Sequence, residues 1–148
     1  VAAGFGLTVG YHNHAQEFVA SFDGQSAYER FVALTDERVL LELDLFWALT
    51  GGQDVPALVR ALGPRLVAVH VKDGVVPASN PWAPGAPAFG TDSLDQRRAG
   101  TAQVPLAESL HAAADLKYAV IEYDRAPGDV FDDIAASYAF LRDGGFIA

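Results

Sequence analysis

Four apolar segments, each ending in ionisable residues, recur along this chain, and each is followed by a helical pattern. That alternation restricts the fold more than any other feature. Leu7 to His12, Val39 to Asp44, Leu66 to Val71 and Tyr118 to Tyr123 show period-two alternation or short apolar runs bounded by loop chemistry or charge, which is the pattern of strands. Ser26 to Leu34, Asp54 to Leu62, Pro105 to Ala114 and Val130 to Leu141 carry helical patterns with Ser, Asp or Pro where helices start. Strands alternating with helices pair in parallel through crossovers, which predicts an α/β sheet. Glu17 and Asp44 are 27 residues apart, and Asp44 and His70 are 26 apart. These intervals suit the unit length of an eight-unit barrel of about 200 to 250 residues. Four βα units in residues 1–148 then make half a barrel.

The chain has 148 residues, 51% hydrophobic and 20% charged, which is enough apolar material to bury a core. A formal charge of -9 repels phosphate backbones, and only Arg97 and Arg98 among the ten Lys and Arg residues are adjacent, so no nucleic-acid partner is expected. No stretch approaches the roughly 18 apolar residues of a membrane span and no basic region precedes an apolar run at the start. The expectation is a soluble, unexported, cytoplasmic protein with no membrane partner. With no cysteine, any metal must be held by carboxylates, imidazoles, carbonyls or water. The chain opens on Val1 and has no methionine, which reads as a piece of a longer polypeptide.

Polar residues crowd the strand ends: Tyr11-His12-Asn13-His14 with Glu17 after it, Glu42-Leu43-Asp44, His70-Val71-Lys72-Asp73, and Glu122-Tyr123-Asp124. A barrel with its active site at the C-terminal rim produces this pattern. Alternation puts His12 with His14, Glu42 with Asp44, His70 with Lys72 and Glu122 with Asp124 on shared faces. Carboxylates and an imidazole converging at a partly dry rim repel one another unless a cation or protons neutralise them, so a divalent ion is expected. A Glu/Asp/His/Glu set is mostly oxygen and favours Mn²⁺, with Mg²⁺, Co²⁺ or Zn²⁺ as alternatives. Residues 74–100, rich in Pro and Gly and containing Trp82, form a long loop and a candidate substrate lid.

Tyr-His-Asn-His-Ala-Gln-Glu-Phe at 11–18, Leu-Asp-Leu-Phe-Trp-Ala-Leu-Thr-Gly-Gly at 43–52, Val-His-Val-Lys-Asp-Gly at 69–74 and Val-Ile-Glu-Tyr-Asp at 120–124 together resemble the xylose isomerase-like TIM-barrel superfamily, in its sugar phosphate isomerase/epimerase branch. The resemblance covers essentially the whole chain and implies the C-terminal half of one (β/α)8 barrel domain. It implies metal ligands at Asp44, His70 and Glu122, with Glu17 or His12 as the first ligand and Glu17 preferred for its carboxylate. It further implies proton transfer through an enediolate on a ketose, sugar phosphate or polyol. His12 or His14 is then the candidate base, Lys72 an electrophile or substrate-binding cation, and Glu122 a further catalytic carboxylate. Trp47 and Trp82 are candidates to stack on a sugar.

A lyase or dehydratase acting on a keto-glycoside or inosose is the nearest alternative, since the same ion and base would serve it. A reading of another class is a non-catalytic half barrel that needs a partner chain, because exposed edge strands make a lone half barrel implausible as a monomer. Either a homo-oligomer or a missing N-terminal half would supply the other strands. The related endonuclease activity is excluded by the negative charge and by the lack of further His and Asp ligands for a trinuclear zinc site.

Overall fold

Alternation along the strands sorts two chemistries onto the two faces of one sheet. The computed structural model describes the chain apart from Pro127, Ala148 and the side chain of Thr91. Its strands are β1 (Val9–His12), β2 (Ser21–Phe22), β3 (Gln25–Ser26), β4 (Val39–Asp44), β5 (Leu66–Val71), β6 (Asp73–Val75), β7 (Asp95–Arg97) and β8 (Tyr118–Ile121). Its α-helices are α1 (Ala27–Leu34), α2 (Leu45–Thr50), α3 (Val55–Leu62), α4 (Leu106–Ala112) and α5 (Val130–Asp143). The main sheet is all parallel in the order β1-β4-β5-β8, so the chain steps always in one direction and places helices between successive strands. This is the arrangement of a partial (β/α)8 barrel.

Capping chemistry sets several helix starts. Ser26 Oγ accepts the Glu29 N–H at 3.1 Å while the Glu29 carboxylate takes the Ser26 N–H at 2.7 Å, a reciprocal box at the head of α1. Asp54 accepts the Ala57 N–H at 3.0 Å and Asp129 the Phe131 N–H at 2.9 Å, at the heads of α3 and α5. Helix α2 is not foreseen by periodicity, because Leu45 to Thr50 reads as an apolar run without a polar face. It forms because Asp44, the last residue of β4, turns its side chain back to accept the Trp47 N–H at 2.9 Å.

Leu41, Leu43, Val69 and Val71 point to the helices and join Val55, Leu58, Val59, Leu62, Leu106, Leu110 and Leu141 in the buried core. The other face carries Gly10, Leu40, Ala68, Tyr118 and Val120 below the rim, where they line an open cavity of about 430 Å³. Among the described residues β1 and β8 each have one strand partner, and no helix is long and apolar enough to cross a membrane.

Two local features bring the rim residues together. The first is a register shift between β4 and β5: Leu41 pairs with Leu66, but Glu42 pairs with Ala68, so one residue of β5 is skipped. A one-residue shift exchanges the faces of a strand, and here it sets His70 opposite Asp44 and on the same face. The second is Asp73, which is buried at the start of the β6–β7 ribbon. Its carboxylate accepts four backbone N–H groups, from Gly74 at 2.9 Å, Thr101 at 3.0 Å, Ala102 at 2.9 Å and Val104 at 3.0 Å. It thereby ties the end of β5 to the segment that leads into α4. Gly74 is required beside it, since a Cβ there would stand 2.7 Å from the Asp95 carbonyl oxygen. An amide at position 73 would turn its NH₂ toward backbone donors and leave some of them unpaired. Asp73→Asn is therefore expected to destabilise the protein by roughly 2 to 4 kcal/mol, read as a lower urea midpoint with an unchanged slope.

Candidate metal centre

The pairing of His12 with Glu42, Asp44 with His70, and His70 with Val120 carries one face of the sheet around to the rim, where His12, Glu42, Asp44, His70, Lys72, Glu122 and Asp124 gather. His12, Asp44 and His70 each offer one ligand atom, and these three atoms lie within 4.8 Å of one another. Asp44 is fully buried. Its Oδ1 is occupied by the Trp47 N–H, which leaves Oδ2 facing the cluster, 3.4 Å from His70 Nδ1 and 3.0 Å from Lys72 Nζ. The Lys72 contact is one of charge rather than an aligned hydrogen bond. Asp44 Oδ2, His12 Nδ1, His70 Nδ1 and Glu122 Oε2 are all buried without a hydrogen-bond partner among the described residues. Lys72 meets the charge of Asp44 Oδ2 and Glu122 Oε2, and the two imidazole nitrogens beside Asp44, which have no such cation, would fit a divalent ion shared with it.

Lys72 is 2% exposed and sits between Asp44, Glu122 and Asp124, the last 2.8 Å away. The three carboxylates hold its ammonium charged: burial pushes its pKa down, and Asp44 first, then Asp124 and Glu122, outweigh that and raise it. The Trp47 ring lies 5.6 Å from Nζ and adds a cation–π contact. Glu122 is drawn down to about 2 because His70 and Lys72 beside it outweigh the effect of burial. His70 is pushed down by burial but raised on balance to about 9 by the carboxylates of Asp44 and Glu122, with Glu42 adding to them. Burial, and then the neighbouring charge of His70, hold His12 below its ordinary value, which favours its neutral form.

The expected site residues are not all brought together. Glu17, preferred above as the first ligand, is outside the group. Its Oε1 accepts the Tyr11 hydroxyl at 2.7 Å and its Oε2 accepts the His14 N–H at 3.0 Å, so both oxygens serve the turn after β1. His12 stands with Asp44 and His70 instead, because the β1–β4 pairing points it at the cluster. Glu122 lies beside the group rather than in it, with its Oε2 3.6 Å from His70 Nδ1 and held by Lys72. Lys72 itself is too enclosed to meet a substrate as a free cation. His14 sits edge-on to His12 with ring centroids 5.0 Å apart. Trp47 is 2% exposed and covered by Trp82 and Phe89, so it forms the wall of the rim rather than a stacking face. Trp82, at 39% exposure, keeps open surface.

Asn13 and Glu42 receive no role from residue type alone. Asn13 is fully buried, and its Oδ1 accepts the Asp44 N–H at 2.9 Å, fastening the end of β1 to the end of β4. Its position between two histidines is the only signal the sequence offers. Glu42 lies two residues before Asp44 and faces both imidazoles.

Solved structures share this fold. The chain matches two sugar phosphate isomerase/epimerases from Parabacteroides distasonis ATCC 8503. One match has a TM-score of 0.66 and 23% identity over 99% of this chain and 50% of that one; the other has a TM-score of 0.67 and 20% identity over 94% and 46%. It also matches a xylose isomerase domain protein from Planctomyces limnophilus, with a TM-score of 0.67 and 17% identity over 97% of this chain and 46% of that one. No family model and no curated protein matches the chain. At these identities the likeness is one of fold, and the fold is half of a (β/α)8 barrel. The chain spans about half the length of each of these structures.

Two titrations follow from this cluster. In the metal-free protein His70 is raised from 6.5 to about 9, so the stability it contributes is complete below about 6.5 and is lost as pH rises through 9. Glu122 is lowered from 4.5 to about 2, so its contribution is present above 4.5 and is lost as pH falls toward 2. Melting in chelator is therefore expected to peak between pH 4.5 and 6.5 as far as these two groups decide it. An ion held by His70 must displace its proton, so apparent metal affinity is expected to fall about tenfold per pH unit below 9, with about one proton released per ion. Calorimetry in buffers of different ionisation enthalpy measures that release.

Proposed function

We propose that this chain is the metal-holding C-terminal half of a sugar isomerase or epimerase, acting on a ketose, sugar phosphate or related polyol by moving a proton on a carbon beside a carbonyl. The observation that carries this reading is the convergence of His12, Asp44 and His70 on the rim of four parallel strands, with Lys72, Glu122 and Asp124 beside them. His12, Asp44 and His70 would hold the ion, with Glu122 as the remaining rim carboxylate. Two imidazoles and one carboxylate are richer in nitrogen than the Glu/Asp/His/Glu set, which moves the preference from Mn²⁺ toward Zn²⁺ or Co²⁺. When bound, such an ion supplies Lewis acidity that makes a C–H beside a carbonyl more acidic.

The chain's own groups supply the rest. His14, outside the three-residue group and next to His12, is the imidazole available to take a proton at its ring nitrogen. Glu122, beside His70, is a second base, kept ionised by Lys72 and so available to take a proton. Two bases at separate places suit epimerisation, where the proton leaves on one side and returns on the other. Trp82 offers an apolar surface to a sugar ring.

The segment from Val76 to Ser93 acts as a cover for the site. Its Asn80 Nδ2 donates to the Ala15 carbonyl at 2.8 Å, and Trp82 and Phe89 pack on Trp47. Four further strands, from a second copy or from additional chain, complete the barrel over the open inner face.

A ketose panel in D₂O, supplied with Zn²⁺, Co²⁺ or Mn²⁺, tests this reading. Metal-dependent uptake of solvent deuterium beside the carbonyl, with mass otherwise conserved, is expected, and His70→Ala should lower its rate more than about 100-fold. Loss of water or of a glycosyl group would assign the same site to a lyase. A chain that exchanges nothing with any ion, in its own oligomeric state or with added strands, would overturn the enzyme reading.

A further inference from the structure

Glu42 lies outside the three-residue group, yet its carboxylate faces both of that group's imidazoles. Its Oε1 is 3.2 Å from His70 Nε2 and its Oε2 is 4.0 Å from His12 Nδ1. His70 turns its other nitrogen, Nδ1, toward Asp44 Oδ2 at 3.4 Å and Glu122 Oε2 at 3.6 Å. The two nitrogens of His70 thus face two different environments. An imidazole that ligates an ion through one nitrogen carries its proton on the other, and an acceptor at that second nitrogen selects the tautomer and orients the ring.

The backbone holds this geometry from both sides. Glu42 is in register with His12 on β1 and with Ala68 on β5, at the point where the β4–β5 register shifts. We propose that Glu42 is a positioning residue: it keeps the His70 proton on Nε2 and so presents Nδ1 to an ion shared with Asp44 and His12. This rests on the metal-holding reading given above. The opposite tautomer would set the bare lone pair of Nε2 against a carboxylate oxygen and aim an N–H at the ion, so both of its contacts are unfavourable. Glu42 is partly open to water, which makes its contribution one of tautomer and ring orientation rather than of buried charge.

The test uses the full chain with Zn²⁺, ¹⁵N-labelled histidine and two variants. In the zinc-loaded wild type, long-range ¹H–¹⁵N spectra are expected to show His70 with a protonated Nε2 and a metal-bound Nδ1. Glu42→Leu is expected to lower zinc affinity about 10- to 100-fold and to mix the two tautomers. Glu42→Gln removes the charge but keeps an oxygen within reach of the Nε2 proton, so it should retain the tautomer and recover most of the affinity. That recovery separates a hydrogen bond from mere net charge. A wild type whose His70 binds zinc through Nε2 overturns the role of Glu42 without any variant, and so does a Glu42→Leu protein with unchanged affinity and tautomer. Both results leave the metal site standing. A wild type that takes up no zinc overturns the metal site and this role together.

Discussion

The pairing of β4 with β5 is the constraint on which the candidate site depends. Asp44 and His70 are 26 residues apart in the chain but opposite one another in the sheet, because one residue of β5 is passed over between Leu66 and Ala68. Side chains in a strand alternate strictly, so without that shift His70 and Lys72 would turn toward the helices. The imidazole would then leave Asp44, and a lysine would enter the apolar layer formed by Val69 and Val71. The same pairing places Asp44 at the head of α2, where its two oxygens divide their work between the helix and the cluster. A single backbone irregularity thus decides the contents of both faces.

Charge balance is the second organising element. Asp44, Glu122 and Asp124 could not be gathered around a dry point without a cation, and Lys72 is the cation that the chain itself provides. Lys72 satisfies the side of the cluster nearest β8 and leaves the side with His12 and His70 open. The rim is thus fully formed with His70 protonated, and loss of that proton frees a ring nitrogen beside Asp44 and His12. Asp73, adjacent to Lys72, uses its own charge differently: four backbone N–H groups take it up, and it shapes the segment leading to α4. Two neighbouring residues, Lys72 and Asp73, therefore serve opposite sides of the strand end, as alternation requires.

Much of the site was legible in the sequence because polar residues have no reason to end four apolar strands unless they meet. Asp44 and His70 were readable for that reason, and both lie in the observed group. The choice between Glu17 and His12 was not, since a carboxylate is the better ligand by chemistry alone and only the turn after β1 shows that Glu17 is already engaged by Tyr11 and His14. Trp47 misled in a similar way. Its indole belongs to the types that stack on sugars, but α2 folds it inward under Trp82 and Phe89. The length of α2 itself was hidden because Leu45 to Thr50 has no polar face from which a helical period could be read.

What the sequence determined by itself was the alternation of strands and helices, the parallel sheet, the helix starts at Ser26 and Asp54, and the presence of acid or imidazole at every strand end. Each of these rests on local chemistry: a period of two or 3.6, a side chain one turn from the N–H it caps, a polar residue where an apolar run stops. The tertiary structure alone decided the register between β4 and β5, the enclosure of Lys72, the placing of His12 rather than Glu17 beside Asp44 and His70, and the place of Glu42 beside both imidazoles. All four depend on which residues lie across from one another on neighbouring strands. That relation is set by the packing of the whole sheet against its helices, and the run Leu66 to Val71, apolar on both faces until His70, carries no mark of the residue that is skipped.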